Sequence, residues 1–172
     1  VSSYVPWDAS WVAHPVSEGI VVEKSYGVKF FDNNVTVSYG EVVGAYDTIY
    51  SVDFKNCNNA EITENNINST GNTYIYGIVL SGQNFTISNN NITSNGSYYA
   101  NGIDIEGPAT GKIEENTVVA TANTTAYPVY GAMSNGEVSV YIKDNVINGS
   151  AYLVYGIQLG GEKAIIENNE IN

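Results

Sequence analysis

The sequence predicts an all-β chain of 172 residues wound as a parallel β-helix of about six coils, and three observations carry that prediction. The first is a pattern, apolar-x-x-Asn-x-apolar, written five times: "ITENNI" at 62–67, "ISNNNI" at 87–92, "IEENTV" at 113–118, "IKDNVI" at 142–147 and "IENNEI" at 166–171. "FFDNNV" at 30–35 is a weaker copy, so the recurring Asn are Asn33, Asn65, Asn90, Asn116, Asn145 and Asn169. The second is a strand-like motif in step with it: "EGIVV" at 18, "YSVDF" at 50, "YGIVL" at 76, "NGIDI" at 101, "YGAMS" at 130 and "YGIQL" at 155. Its second residue (Gly19, Ser51, Gly77, Gly102, Gly131, Gly156) precedes the Asn by 13 or 14 positions. The third is that length varies mainly between the Asn and the next strand, as in a structural repeat whose loops collect on one edge.

Each element follows from these patterns. Residues 1–17, with Trp7, Trp11 and two Pro, do not match the repeat and are expected to cover the open edge of the first coil. Residues 18–172 are the repeats. Within a unit, Ile78 and Leu80 point inward and Val79 outward, the alternation of a strand. Ile62, Ile87, Ile113, Ile142 and Ile166 form one internal column, and Ile67, Ile92, Val118, Ile147 and Ile171 another, at a coil spacing of ~4.8 Å. The Asn between them marks a sharp bend, where Asn tolerates left-handed backbone angles better than other non-glycine residues. Its amide is expected to bond to the equivalent amide one coil away, as in stacked cross-β chains. Tyr50, Tyr76, Tyr130 and Tyr155 share one repeat position and should stack as an aromatic column. The chain stops at "ENNEIN" without a cap, so a segment of a longer helix, with end-to-end or oligomeric contacts, is expected there. A leucine-rich repeat also uses a recurring Asn, but only three Leu occur and no helical stripe accompanies them.

The pairing of "YGI-x-L" with "I-x-x-N-x-I" resembles the right-handed parallel β-helix repeats of carbohydrate-binding proteins and sugar hydrolases. It is most similar to adhesin-like surface proteins of methanogenic archaea. The resemblance implies an extracellular, cell-surface location and a rigid stalk or binding segment with a glycan or protein partner. The alternative within the same fold is a polysaccharide-processing lyase or glycoside hydrolase, and a third reading is a purely structural envelope component.

Composition limits the partners. A formal charge of −12, from 18 acids against six Lys and no Arg, disfavours nucleic acid and anionic surfaces and suits neutral or cationic ligands. No apolar run is long enough to insert directly into a membrane as a helix. Catalytic residues are not evident: the outward positions Val21, Asp53, Val79, Asp104, Met133 and Gln158 read as a sheet face with two solvated acids. His14 beside Pro15 has no motif partner. No cofactor is implied, although Glu64, Glu114, Glu115 and Glu167 beside the ladder offer oxygens to Ca²⁺ without any Ca²⁺-loop motif. Cys57, the lone Cys, reads as a small packed residue. Tyr is abundant, and Tyr74, Tyr98, Tyr99, Tyr127 and Tyr152, in the variable stretch, are expected to form an exposed aromatic strip suited to sugar rings or a protein. N-x-[ST] acceptor sequons stand at Asn34, Asn68, Asn84, Asn91, Asn95, Asn123 and Asn148.

Overall fold

The computed structural model describes residues 2–4, 16–39, 47–132, 137–161 and 163–172. Trp7, Trp11, His14, Pro15 and Met133 lie outside them. The described chain is all-β, a β-solenoid of about five turns built from parallel strands. Strands of six repeat copies stack along its first face.

Each rung has three faces. The first carries Val16–Glu23, Thr48–Lys55, the starts of Tyr74–Ser88 and Tyr99–Glu114, then Thr125–Ala132 and Ile157–Leu159. The second carries Lys29–Phe31, Glu61–Thr63, the ends of the two long strands, Val138–Lys143 and Lys163–Glu167. Those long strands join the two faces into one continuous sheet. The third runs from Asn34–Ser38 through Asn66–Gly71, Asn91–Gly96, Thr117–Thr121 and Val146–Ser150 to Glu170–Ile171. Ser2–Tyr4 adds a further parallel strand there, pairing Ser2 with Thr36.

The register aligns the apolar columns. Ile62, Ile87, Ile113, Ile142 and Ile166 are successive partners, as are Ile67, Ile92, Val118, Ile147 and Ile171. Burying each such side chain contributes roughly 1.5–3 kcal/mol. Ile166 and Ile171 are half exposed because no described rung covers them. Cys57 is free and buried, its Sγ 3.4 Å from the Val22 carbonyl oxygen.

The asparagine ladder is continuous. Asn33, Asn65, Asn90, Asn116 and Asn145 each donate both backbone N–H and side-chain Nδ2 to the Oδ1 of the next Asn, at 2.9–3.0 Å. From Asn65 onward, each Nδ2 also donates to a carbonyl on the preceding rung and to the carbonyl two residues upstream. Polar groups buried at the bend are thereby satisfied. One expectation is corrected here. The left-handed residue is the one before the ladder: Asp32, Glu64, Asn89, Glu115, Asp144 and Asn168, all with φ of 53–58°. Reversing the chain one residue early keeps that side chain exposed and turns the ladder Asn inward, with its N–H along the axis.

The register also corrects the alignment of one repeat. Asn101 pairs with Tyr127 and Ile103 with Val129, so Pro128 stands level with Gly77 and Gly102, and Gly131 is level with Ile105. Tyr127 therefore joins Tyr50, Tyr76 and Tyr155 in the aromatic column, and Tyr130 lies in the outward column of Asp53, Val79 and Asp104. Gly149 lies nearby on the third face, where an added Cβ would run into Val154 and stand 3.4 Å from the Pro128 ring.

Candidate functional site: an aromatic cleft over Asp104

The first-face strands are not flat. Tyr76 points outward and Ile78 inward, with Gly77 between them outside the paired register. A Cβ on Gly77 would stand 2.5 Å from the Gly102 carbonyl oxygen, so the backbones approach too closely for any side chain. The outer surface of this face holds a depression. Residues that alternation assigns to solvent are buried: Asp53 is 1%, Val79 3% and Asp104 7% exposed. The expectation of solvated acids is thus overturned.

Tyrosine rings wall the concavity. Tyr74 and Tyr99 stack with centroids 5.4 Å apart, Tyr99 and Tyr127 lie parallel at 6.2 Å, and Tyr127 stacks on Tyr155 at 5.1 Å. Tyr98 packs edge-on against Tyr74 and Tyr99, and Tyr130 tilts against Tyr127. Of the five tyrosines expected to form a strip, four are brought together; Tyr152 is 86% exposed and stands apart from this group. Tyr76, Tyr130 and Tyr155 belong to the cluster as well, although they lie outside the expected strip. Repeat register, rather than distance from a loop, is the signal that finds them.

Asn101 occupies the rung where the column would hold another ring, between Tyr76 and Tyr127. Two rungs separate those tyrosines by ~9.6 Å of backbone. A cleft of ≈ 210 Å³ opens there, walled by Tyr76, Tyr99, Tyr127 and Tyr130, with Asn101 and Asp104 among its lining residues. Asn101 Nδ2 donates to Asp104 Oδ2 at 3.0 Å, and Asp104 Oδ1 has no hydrogen-bond partner. Burial pushes the Asp104 carboxyl up to about 7, with the Asn101 bond opposing and the Glu106 charge reinforcing the shift. Burial likewise raises Asp53 and Glu106. Lys55 Nζ lies 2.8 Å from Asp53 Oδ2 and 3.6 Å from Glu18 Oε1, so the nearby cation is already engaged. Burial also raises the Tyr76 phenol, which stays protonated.

A larger depression of ≈ 310 Å³ lies on the second face, lined by Gly111, Lys112, Tyr141 and Lys163 among others. No described residue lining it carries a buried unpartnered polar atom. Among the described residues no group of three or more His, Cys, Asp or Glu is arranged to hold a metal ion. Glu64 and Glu115 are separated along their column by Asn89.

Five of the sequon Asn, at 34, 68, 91, 95 and 148, lie on third-face strands; Asn148 is half-buried and the others are exposed. Asn84 and Asn123 are exposed elsewhere. Comparison with protein-family models, curated proteins and solved structures finds no match to this chain.

Proposed function

We propose that this chain is a non-catalytic binding segment of an extracellular, adhesin-like surface protein, and that it holds carbohydrate on its tyrosine face. The observation that carries the reading is the stacked series Tyr74, Tyr99, Tyr127 and Tyr155, built outside the apolar core. Flat rings with a hydroxyl edge and few rotamers to lose suit recognition of sugar rings. The sequons concentrate on the third face, so glycans there leave the tyrosine face open. The archaeal, cell-surface part of the reading rests on the motif resemblance. A glycan array probed with the chain should show a defined set of bound sugars, and the Tyr99→Ala/Tyr127→Ala double variant should lose them while keeping its β-sheet circular dichroism. Retained binding in that variant refutes the site.

A second reading is favoured by the gathering of Asp53, Asp104, Glu106 and Lys55 on the first face, since a carboxylic acid protonated near neutrality serves as a general acid in sugar cleavage. Product release from neutral or acidic glycans, abolished by Asp104→Asn, would establish it over the first.

A further inference from the structure

We propose that the slot between Tyr76 and Tyr127 takes an amino sugar with a free amine: its ring lies among the tyrosine faces and its ammonium pairs with the Asp104 carboxylate that lines the slot. This deepens the carbohydrate reading and rests on it. The slot exists because Asn101 interrupts a tyrosine column that continues with Tyr50 and Tyr76 on one side and Tyr127 and Tyr155 on the other. A departure from the repeat at one rung, with a buried acid beside it, is not needed for stacking.

The acid decides the chemistry. An ionised carboxylate only accepts hydrogen bonds, and Asp104 has one oxygen bonded to Asn101 and the other with no partner. Once the carboxyl ionises, leaving that buried acceptor unpaired is costly, so the ionised site calls for a donor. The groups around it select a charged one. Glu106 lies on the same strand; Asp53 with its Lys55 partner lies on Thr48–Lys55; Tyr76 lies on Tyr74–Ser88; Tyr127 and Tyr130 lie on Thr125–Ala132. The surroundings are acidic and aromatic, and the whole chain carries −12. A cation gains from both the field and the negative ring faces. A quaternary ammonium has no N–H to donate to the carboxylate, and an acetylated amine has no charge, so a primary ammonium fits best. The adjoining stacked rings favour a sugar ring over the thin aliphatic stem of a lysine side chain.

Binding is then linked to protons. The empty site holds its proton up to about pH 7 because burial disfavours the carboxylate, and an incoming ammonium favours the ionised form. Affinity for the amine should rise about tenfold or more from pH 5 to pH 7, and fall again where the amine itself deprotonates.

The test is calorimetric titration of the whole chain at both pH values. The ligands are a glucosamine tetramer, its fully N-acetylated counterpart, a glucose tetramer and an oligo-lysine peptide. The proposal expects the glucosamine tetramer to bind at least tenfold more tightly than the acetylated form at pH 7. Asp104→Asn should remove that preference, and Asn101→Tyr should fill the slot and abolish binding with the fold intact. Equal binding of the free and acetylated sugars overturns the amine assignment and leaves the carbohydrate reading standing. Binding of no sugar overturns both. An oligo-lysine affinity equal to that of the glucosamine tetramer overturns the sugar assignment. The free-versus-acetylated comparison and the pH dependence use the unaltered chain, so they decide the matter even if a variant fails to fold.

Discussion

Replacing Asn116 by Ala removes the middle of the ladder, and the structure states what is lost. Asn116 Nδ2 no longer donates to the Ile87 and Glu114 carbonyls or to Asn145 Oδ1, and Asn116 Oδ1 no longer accepts from the backbone N–H and Nδ2 of Asn90. Asn90 Nδ2 keeps its bonds to the Ile62 and Ser88 carbonyls, so its backbone N–H is the principal group orphaned in a buried site. An unpaired buried donor costs about 1–3 kcal/mol, and each further lost bond about 1 kcal/mol. With two protons, the Asn116 side-chain amide loses two full bonds and the Asn90 side-chain amide none, so the expected destabilisation is about 3–5 kcal/mol, a large share of a domain stability of roughly 5–15 kcal/mol. Asn33→Ala is the control. Asn33 is half-buried, and without its side chain Asn65 Oδ1 still accepts the backbone N–H of residue 33. That change should cost about 1 kcal/mol. Urea unfolding followed by far-ultraviolet circular dichroism, extrapolated linearly to water, measures both. If the two variants differ by less than about 1 kcal/mol, burial of the ladder is not what makes it stabilising, and the reasoning fails.

Three further outcomes are expected. Glu64→Gly and Glu115→Gly should each stabilise the chain by up to about 1 kcal/mol, because the left-handed backbone at these exposed positions strains a residue with a Cβ; a lowered urea midpoint in both would contradict the bend geometry. Gly82→Ala should destabilise by at least about 2 kcal/mol, since φ is +143° and the added Cβ runs into the Cys57 carbonyl; thermal melts decide this. Asp104, whose carboxyl is raised from an ordinary 3.8 to about 7, binds its proton more tightly folded than unfolded. Its contribution is therefore most favourable below pH 4, is lost as pH rises towards 7, and leaves a penalty of up to about 4 kcal/mol above that. Asp104→Asn should accordingly be more stable than the parent at pH 8 and close to it at pH 4, and equal stabilities at both pH values would refute the assignment.

The columns of Ile and the positions of the ladder Asn were legible in the sequence because they sit at near-constant period and the fold uses them at constant height. Backbone angles were not legible in that way. The pattern marks where Asn stands but not which neighbour turns, and the left-handed conformation falls one residue before the position the Asn alone suggests. The misplaced Tyr130 has a similar cause. "YGAMS" copies the letters of the strand motif at 130–134, while the true rung start is "TAYPV" at 125–129, where Pro128 conceals the Gly position. The tyrosine cluster could be anticipated from composition and register. The buried Asp104 could not, since alternation alone sends it to solvent.

The ladder has a direction. At every step the donors belong to the earlier Asn and the accepting oxygen to the later one, from Asn33 to Asn169. The side-chain amides therefore form a polar wire, each dipole oriented like its neighbour and strengthened by it. Two such solenoids can be joined in one sense only. A head-to-tail junction presents donors to acceptors and lets the wire run on, whereas a head-to-head junction sets like against like. Polarity that a single chain needs only for its own bends would thus act as an assembly rule for any fibre engineered from these units.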